Sequence, residues 1–143
     1  VVLLVASAAV VRARASLAGC VVVDNDDWAS GMGSSLRAGL SALAGAGDVE
    51  AVVVLPVDTP GVTVAAVERF RALASRASLA RASYDGAPGH PALTGADHWP
   101  AVSAAAVGDA GARDYLREHG ALDVPCGDVA DGADVDHPRD LPT

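Results

Sequence analysis

The stretch "VVVLPVDTPGV", Val52 to Val62, carries an apolar run onto a carboxylate. Pro56 removes one ladder donor, so strand pairing should fade just before Asp58. An aspartate placed there has two uses. It can cap the helix expected after Pro60, or it can hold a hard cation. Mg²⁺ is commonly bound by one or two carboxylates together with substrate phosphates. The acidic tail "GDVADGADVDHPRDLPT" offers Asp128, Asp131, Asp134, Asp136 and Asp140. Their spacing fails the EF-hand pattern. One of them, brought beside Asp58, would complete a two-carboxylate site.

A second group lies in "GMGSSLRAG", Gly31 to Gly39. Two glycines and two serines before a helix suggest backbone N–H groups exposed at its positive end, with Ser34 or Ser35 as cap. The Gly-Lys-Ser/Thr of a phosphate-binding P-loop is missing. "GHP", Gly89 to Pro91, holds His90 in a rigid turn, for structure or for proton transfer. "GDAGAR", Gly108 to Arg113, sets Asp109 at a helix start, the usual place of a cap. No Ser-His-Asp arrangement is visible.

These residues need elements to position them. Val1–Val5, Cys20–Val23, Ala51–Val57, Leu79–Tyr84 and Leu122–Val124 read as strands, and Pro91–Leu93 as a short extended piece. A further short strand is expected near Val135. Helices are expected over Ala9–Leu17, from Ser34 or Ser35 to about Ala44, over Val62–Ser75, His98–Ala106 and Ala110–Glu118. The third of these should bury Val64, Val67, Phe70 or Arg71, and Ala74. Asp85-Gly86 is a turn signal. Alternating continuous apolar strands and helices imply an α/β fold with a mainly parallel sheet covered on both faces. Ligands of such sheets bind beyond the carboxyl ends of the strands, which puts Asp24, Asn25 and Asp58 on the ligand side.

Composition narrows the classes. A chain of 143 residues suits a single domain. Aromatic residues make up only 3%, so the core must be built of Val, Ala and Leu. All ten basic residues are arginine, and the net charge is -8. That balance argues against a nucleic-acid partner. Cys20 and Cys126 fit no metal or CxxC spacing and read as buried or half-buried thiols of a reducing, cytoplasmic compartment. No apolar run approaches the roughly 18 residues of a membrane span, so no membrane partner is expected.

In order, "NDDWASGMGSSLRAGL", "VVVLPVDTPGV", "GHPALTGADHW", "GDAGARDYL" and "DVDHPRDL" resemble nucleotidyltransferases of the molybdenum cofactor cytidylyltransferase type. The resemblance runs from Asn25 to Leu141. It implies a three-layer αβα sandwich of the nucleotide-diphospho-sugar transferase kind. It implies transfer of CMP from CTP to a molybdopterin-type phosphate acceptor, with release of pyrophosphate and Mg²⁺ as cofactor. In that reading Asp58 and Asp136 are the catalytic metal ligands. Gly33, Ser34 and Ser35 border the nucleotide, and Gly89, His90 and Asp109 line the acceptor side. The chain departs from the family at Thr59, where Gln is usual, and at Pro88, where Arg is common. It also resembles the family minus its first βα unit, whose Gly-rich loop carries an Arg and a Lys around the triphosphate. The expectation is weak or no transfer by this chain alone. Two other readings stay open. One is a guanylyltransferase using GTP, acting on molybdopterin or a phosphorylated small acid. The other is a non-catalytic remnant or binding module.

Overall fold

The computed structural model describes residues 2–6 and 18–140. The helix expected over Ala9–Leu17 lies outside them. The element order is β1 (Val2–Ala6), β2 (Cys20–Asp24), α1 (Met32–Gly45), β3 (Ala51–Val54), α2 (Val64–Arg71), β4 (Leu79–Tyr84), β5 (Ala87–Gly95), α3 (Trp99–Ala105), α4 (Arg113–Glu118) and β6 (Leu122–Pro125). The chain is mixed α/β, as the pattern of elements predicts. Its contacts concentrate in two compact units, Val1–Val49 with Trp99–Arg117, and Glu50–His98 with Glu118–Thr143.

In the first unit β1 pairs in parallel with β2, Val2 opposite Cys20 and Ala6 opposite Asp24. Helix α1 packs against both strands and against α3. Its buried residues include Leu40 and Leu43, three apart and so on one side of the helix. Gly47, with φ +83°, takes the chain out of the helix in the left-handed region, as glycine readily does.

The second unit holds a four-stranded sheet in the order β3-β5-β4-β6. Here β4 and β6 run parallel, but β5 is antiparallel to both β3 and β4. The mainly parallel expectation therefore holds for β1–β2 and β4–β6 and not around β5. The cause is local. Asp85 and Gly86 both take positive φ, +50° and +83°, and join Tyr84 to Ala87 in a two-residue hairpin. A pair of left-handed residues matches the twist of an antiparallel ribbon, and Asp-Gly suits it.

β5 spans nine residues, far more than the predicted Pro91–Leu93. Its prolines read as breakers, yet the ladder accommodates them. Arg81 pairs with Ala92 and Ala82 with Gly89, so His90 and Pro91 form a two-residue bulge with no partner on β4. Proline, which has no N–H to donate, is tolerated at such a bulge.

Helix α2 covers β3 and β5. It is shorter than the predicted Val62–Ser75 and buries Ala66 and Phe70, while Val64 is exposed. Its N-cap is Thr63, whose hydroxyl accepts from Ala66 N at 3.3 Å. The same hydroxyl donates to Val129 O at 2.8 Å. Phe70 is fully buried with Ala66, Ala80, Ala82, Leu93, Val124 and Cys126. This aliphatic cluster has one large ring at its centre. Phe70→Ala should therefore lower the unfolding free energy by about 3–5 kcal/mol. Urea denaturation checks it, as a fall in the midpoint at unchanged slope.

Candidate functional site

Asp58 stands four residues beyond β3, at the carboxyl end of that strand. It does not cap α2, since Thr63 fills that position. Thr59 is buried, and its hydroxyl donates back to Pro56 O at 3.0 Å, closing the turn beneath Asp58. The carbonyl of Asp58 accepts from Val135 N at 2.8 Å, and Gly61 O accepts from Asp131 N at 3.1 Å. These two bonds lay tail residues 131–135 against the loop that follows β3. Asp136 is the next residue along, so its backbone lies beside Asp58. Both side chains are exposed to solvent. The tail holds no strand at Val135 among the described residues; its order comes from these bonds instead.

His90 enters the same place from the bulge in β5. Bulges often re-aim a side chain next to an active site. The imidazole is half-buried, and burial pulls its pKa below the ordinary histidine value. Asp134 and then Asp58 oppose that fall, as negative charges near the ring do. Asp134 is thus a member of the site, although the sequence offered it only as one of several tail carboxylates. Its one signal was the i, i+2 spacing from Asp136 in the closing motif.

The donor set suits Mg²⁺. Asp58 and Asp136 offer hard carboxylate oxygens on two neighbouring segments, and would leave room for a substrate phosphate. Among the described residues no group of three or more His, Cys, Asp and Glu side chains is arranged to hold a metal by itself. A site of this kind would draw its remaining ligands from phosphate and water.

The other predicted residues belong to the first unit. The helix starts at Met32 and its N-cap is Gly31, so Ser34 and Ser35 lie inside the first turn rather than capping it. The cap acceptors come from the turn after α3. Gly33 N donates to Gly108 O at 2.8 Å, and Met32 N reaches Asp109 Oδ1 at 3.4 Å. Asp109 therefore serves the start of α1, not its own following helix. The expected row of free N–H groups is accordingly taken up. A Cβ on Gly33 would sit 2.6 Å from the carbonyl oxygen of Ala106, so close approach of this turn requires glycine.

Asn25 organises the stretch and was not singled out as a site residue. Its amide donates to Ser34 Oγ at 2.8 Å and to Ser35 Oγ at 2.9 Å, and its Oδ1 accepts from Asp27 N at 3.1 Å. Ser34 is 5% exposed and its hydroxyl donates toward the carbonyls of Asp27 and Gly31. Ser34 holds the loop together, and Ser35 is the more accessible of the pair. Gly33, Ser34, Ser35 and Asp109 thus gather in one unit, and Asp58, Gly89, His90 and Asp136 in the other.

The second unit also has a cleft of about 790 Å³ lined by Arg69, Ser83, Asp85, Gly86, Val124, Pro125, Gly127 and Asp128. Arg69 forks onto Asp128 with two bonds of 2.9 Å. That pairing raises the guanidinium pKa and lowers the carboxyl pKa. Cys126 is fully buried, and burial pushes its thiol pKa up; Cys20 is half-buried. Both match the reading of buried or half-buried thiols.

A model of the MobA-like NTP transferase domain matches residues 1–124. The chain belongs to that family. Membership carries with it nucleotidyl transfer as the reaction type, a nucleoside triphosphate as the substrate class, and the nucleotide-diphospho-sugar transferase-like α/β fold. Nicotine blue oxidoreductase of Paenarthrobacter nicotinovorans is 38% identical over an alignment of 145 positions, gaps included, that covers 95% of this chain and 70% of that protein. No helix among the described residues is long and apolar enough to cross a membrane.

Two measurements check the site. Asn25→Ala takes one donor from each of two serine hydroxyls and the acceptor from the Asp27 N–H, and should cost about 1–3 kcal/mol in urea unfolding. The His90 ring should titrate below about 6.5 by NMR. Its contribution to stability is present above that value and is lost as pH falls through the lower, folded pKa. Asp58→Asn removes one opposing negative charge and should lower the His90 pKa further. An upward shift in the variant would contradict the geometry.

Proposed function

We propose that this chain binds CTP with Mg²⁺ and carries the carboxylate site of an enzyme that transfers CMP to a molybdopterin-type phosphate acceptor, releasing pyrophosphate. The observation that supports the reading is the Val135–Asp58 backbone bond, which sets the closing motif beside the carboxylate at the strand end. Asp58 and Asp136 would hold the ion. When bound, it would neutralise charge on the triphosphate, which is most of what such a transfer asks of a protein. Asp134 and Asp58 favour the charged form of His90, and His90 and Gly89 border the acceptor. Ser35 and the backbone at Gly33 border the nucleotide, with Ser34, Asn25 and Asp109 fixing their loop. A reducing, cytoplasmic setting goes with this chemistry.

Calorimetric titration of CTP and of GTP in the presence of Mg²⁺ tests the reading. CTP should bind more tightly, and Asp58→Asn should weaken its Mg²⁺-dependent binding roughly tenfold or more, equivalent to about 1.4 kcal/mol. Tighter GTP binding would assign guanylyl transfer instead, to molybdopterin or a phosphorylated small acid. Unchanged CTP binding in Asp58→Asn would remove the metal assignment.

The relative named nicotine blue oxidoreductase favours a second reading, redox chemistry on nicotine blue. A change in the visible absorbance of nicotine blue, on incubation with the chain and a hydride donor but no nucleoside triphosphate, would support it over nucleotidyl transfer.

A further inference from the structure

Tyr84 ends β4, and its ring packs at the margin of the buried cluster formed by Phe70, Ala82, Leu93 and Cys126. Its hydroxyl donates to His90 O at 2.7 Å. Burial raises the pKa of the phenol, so this donor stays protonated across the neutral range. Backbone comes close to the ring at two glycines. A Cβ at Gly89 would lie 3.1 Å from ring carbons Cδ2 and Cε2. A Cβ at Gly132 would lie 2.3, 2.4 and 2.8 Å from Cε2, Cδ2 and Cζ, closer than any carbon contact allows. The tail can therefore cross the ring only where it has no side chain. Gly132 follows Asp131, which bonds Gly61, and precedes Val135, which bonds Asp58. Between them Asp131 Oδ1 accepts from Ala133 N at 2.9 Å and turns the chain.

We propose that Tyr84 is a positioning residue for the carboxylate pair. Its ring sets how closely the tail approaches the sheet, and its hydroxyl sets where the His90 bulge lies. Together they fix the separation of Asp58 from Asp136. A bulky side chain packed only to fill the core would need neither a glycine above it nor a bond to the bulge. This proposal rests on the reading of Asp58 and Asp136 as the metal ligands.

Mn²⁺ binding to the whole chain, followed by electron paramagnetic resonance without nucleotide, tests it alongside urea unfolding of the same samples. Gly132→Ala should weaken Mn²⁺ binding roughly 10- to 100-fold, the range seen when groups that orient metal ligands are lost. Tyr84→Phe keeps the ring and loses one hydrogen bond, and should weaken it about 3- to 10-fold. In a Tyr84→Leu background the further change Gly132→Ala should be nearly without effect on Mn²⁺ affinity, because the ring it strikes has gone. A fall in stability with unchanged Mn²⁺ affinity in the folded protein would overturn the proposal. If Gly132→Ala does not fold, unchanged affinity in Tyr84→Phe overturns it alone. Asp58→Asn separates the two levels. If it leaves Mn²⁺ binding intact, the metal reading fails and takes this proposal with it. If it abolishes binding while Tyr84→Phe and Gly132→Ala do not alter it, only the positioning role fails.

Discussion

Two backbone hydrogen bonds, Val135 N to Asp58 O and Asp131 N to Gly61 O, hold the acidic tail on the loop after β3. The tail has no regular secondary structure of its own from Asp131 to Asp136. Without these bonds it would be a solvated acidic strand end, repelled by its own charges. With them, three carboxylate-bearing residues come to one end of the sheet. Backbone groups do this well because they do not depend on side-chain identity and do not titrate. Thr63 reinforces the same join from the helix side by bonding Val129 O, so one residue caps α2 and anchors the start of the tail.

Gathering carboxylates in a chain of net charge -8 runs against electrostatics. Like charges brought together repel one another, and a cation relieves that repulsion. The ring of His90 sits between the opposing pulls, with burial favouring its neutral form and Asp134 and Asp58 favouring its charged one. The other unit solves a different problem. There the start of α1 is closed by protein groups, a carbonyl from Gly108 and a carboxylate from Asp109. An anion arriving at that helix end would have to displace Asp109, which is the weaker of the two contacts at 3.4 Å.

Much of this was readable from the residues, and the misses have physical causes. Strand β4 matched its predicted Leu79–Tyr84, and the Asp85-Gly86 turn signal marked its far end. Asp58 was legible because a charge closing an apolar run is unusual wherever it occurs. The length of β5 was not, because Pro88 and Pro91 look like breaks until the bulge that absorbs them is seen. The cap of α1 was misplaced for a nonlocal reason. A cap acceptor can come from a distant loop, as Gly108 and Asp109 do for α1, and a local window cannot show that. The same applies to the tail. Five aspartates in a row of turns look alike until backbone pairing distinguishes them, and Asn25 gained its importance only from two hydroxyls nine and ten residues away.

The bulge in β5 also bears on how this fold can vary. It adds two residues to one strand, and two is the period of side-chain alternation in a strand. Parity is therefore conserved across it: Gly89 and Leu93 stay on the same side of the sheet, opposite Ala82 and Ala80. Variants that lengthen or shorten this corner by two residues keep the inward face inward. A change of one residue would turn Leu93 toward the opposite face and leave Phe70 without its neighbour. Natural relatives should accordingly differ here in even steps, giving the histidine corner freedom of size without disturbing the core beneath it.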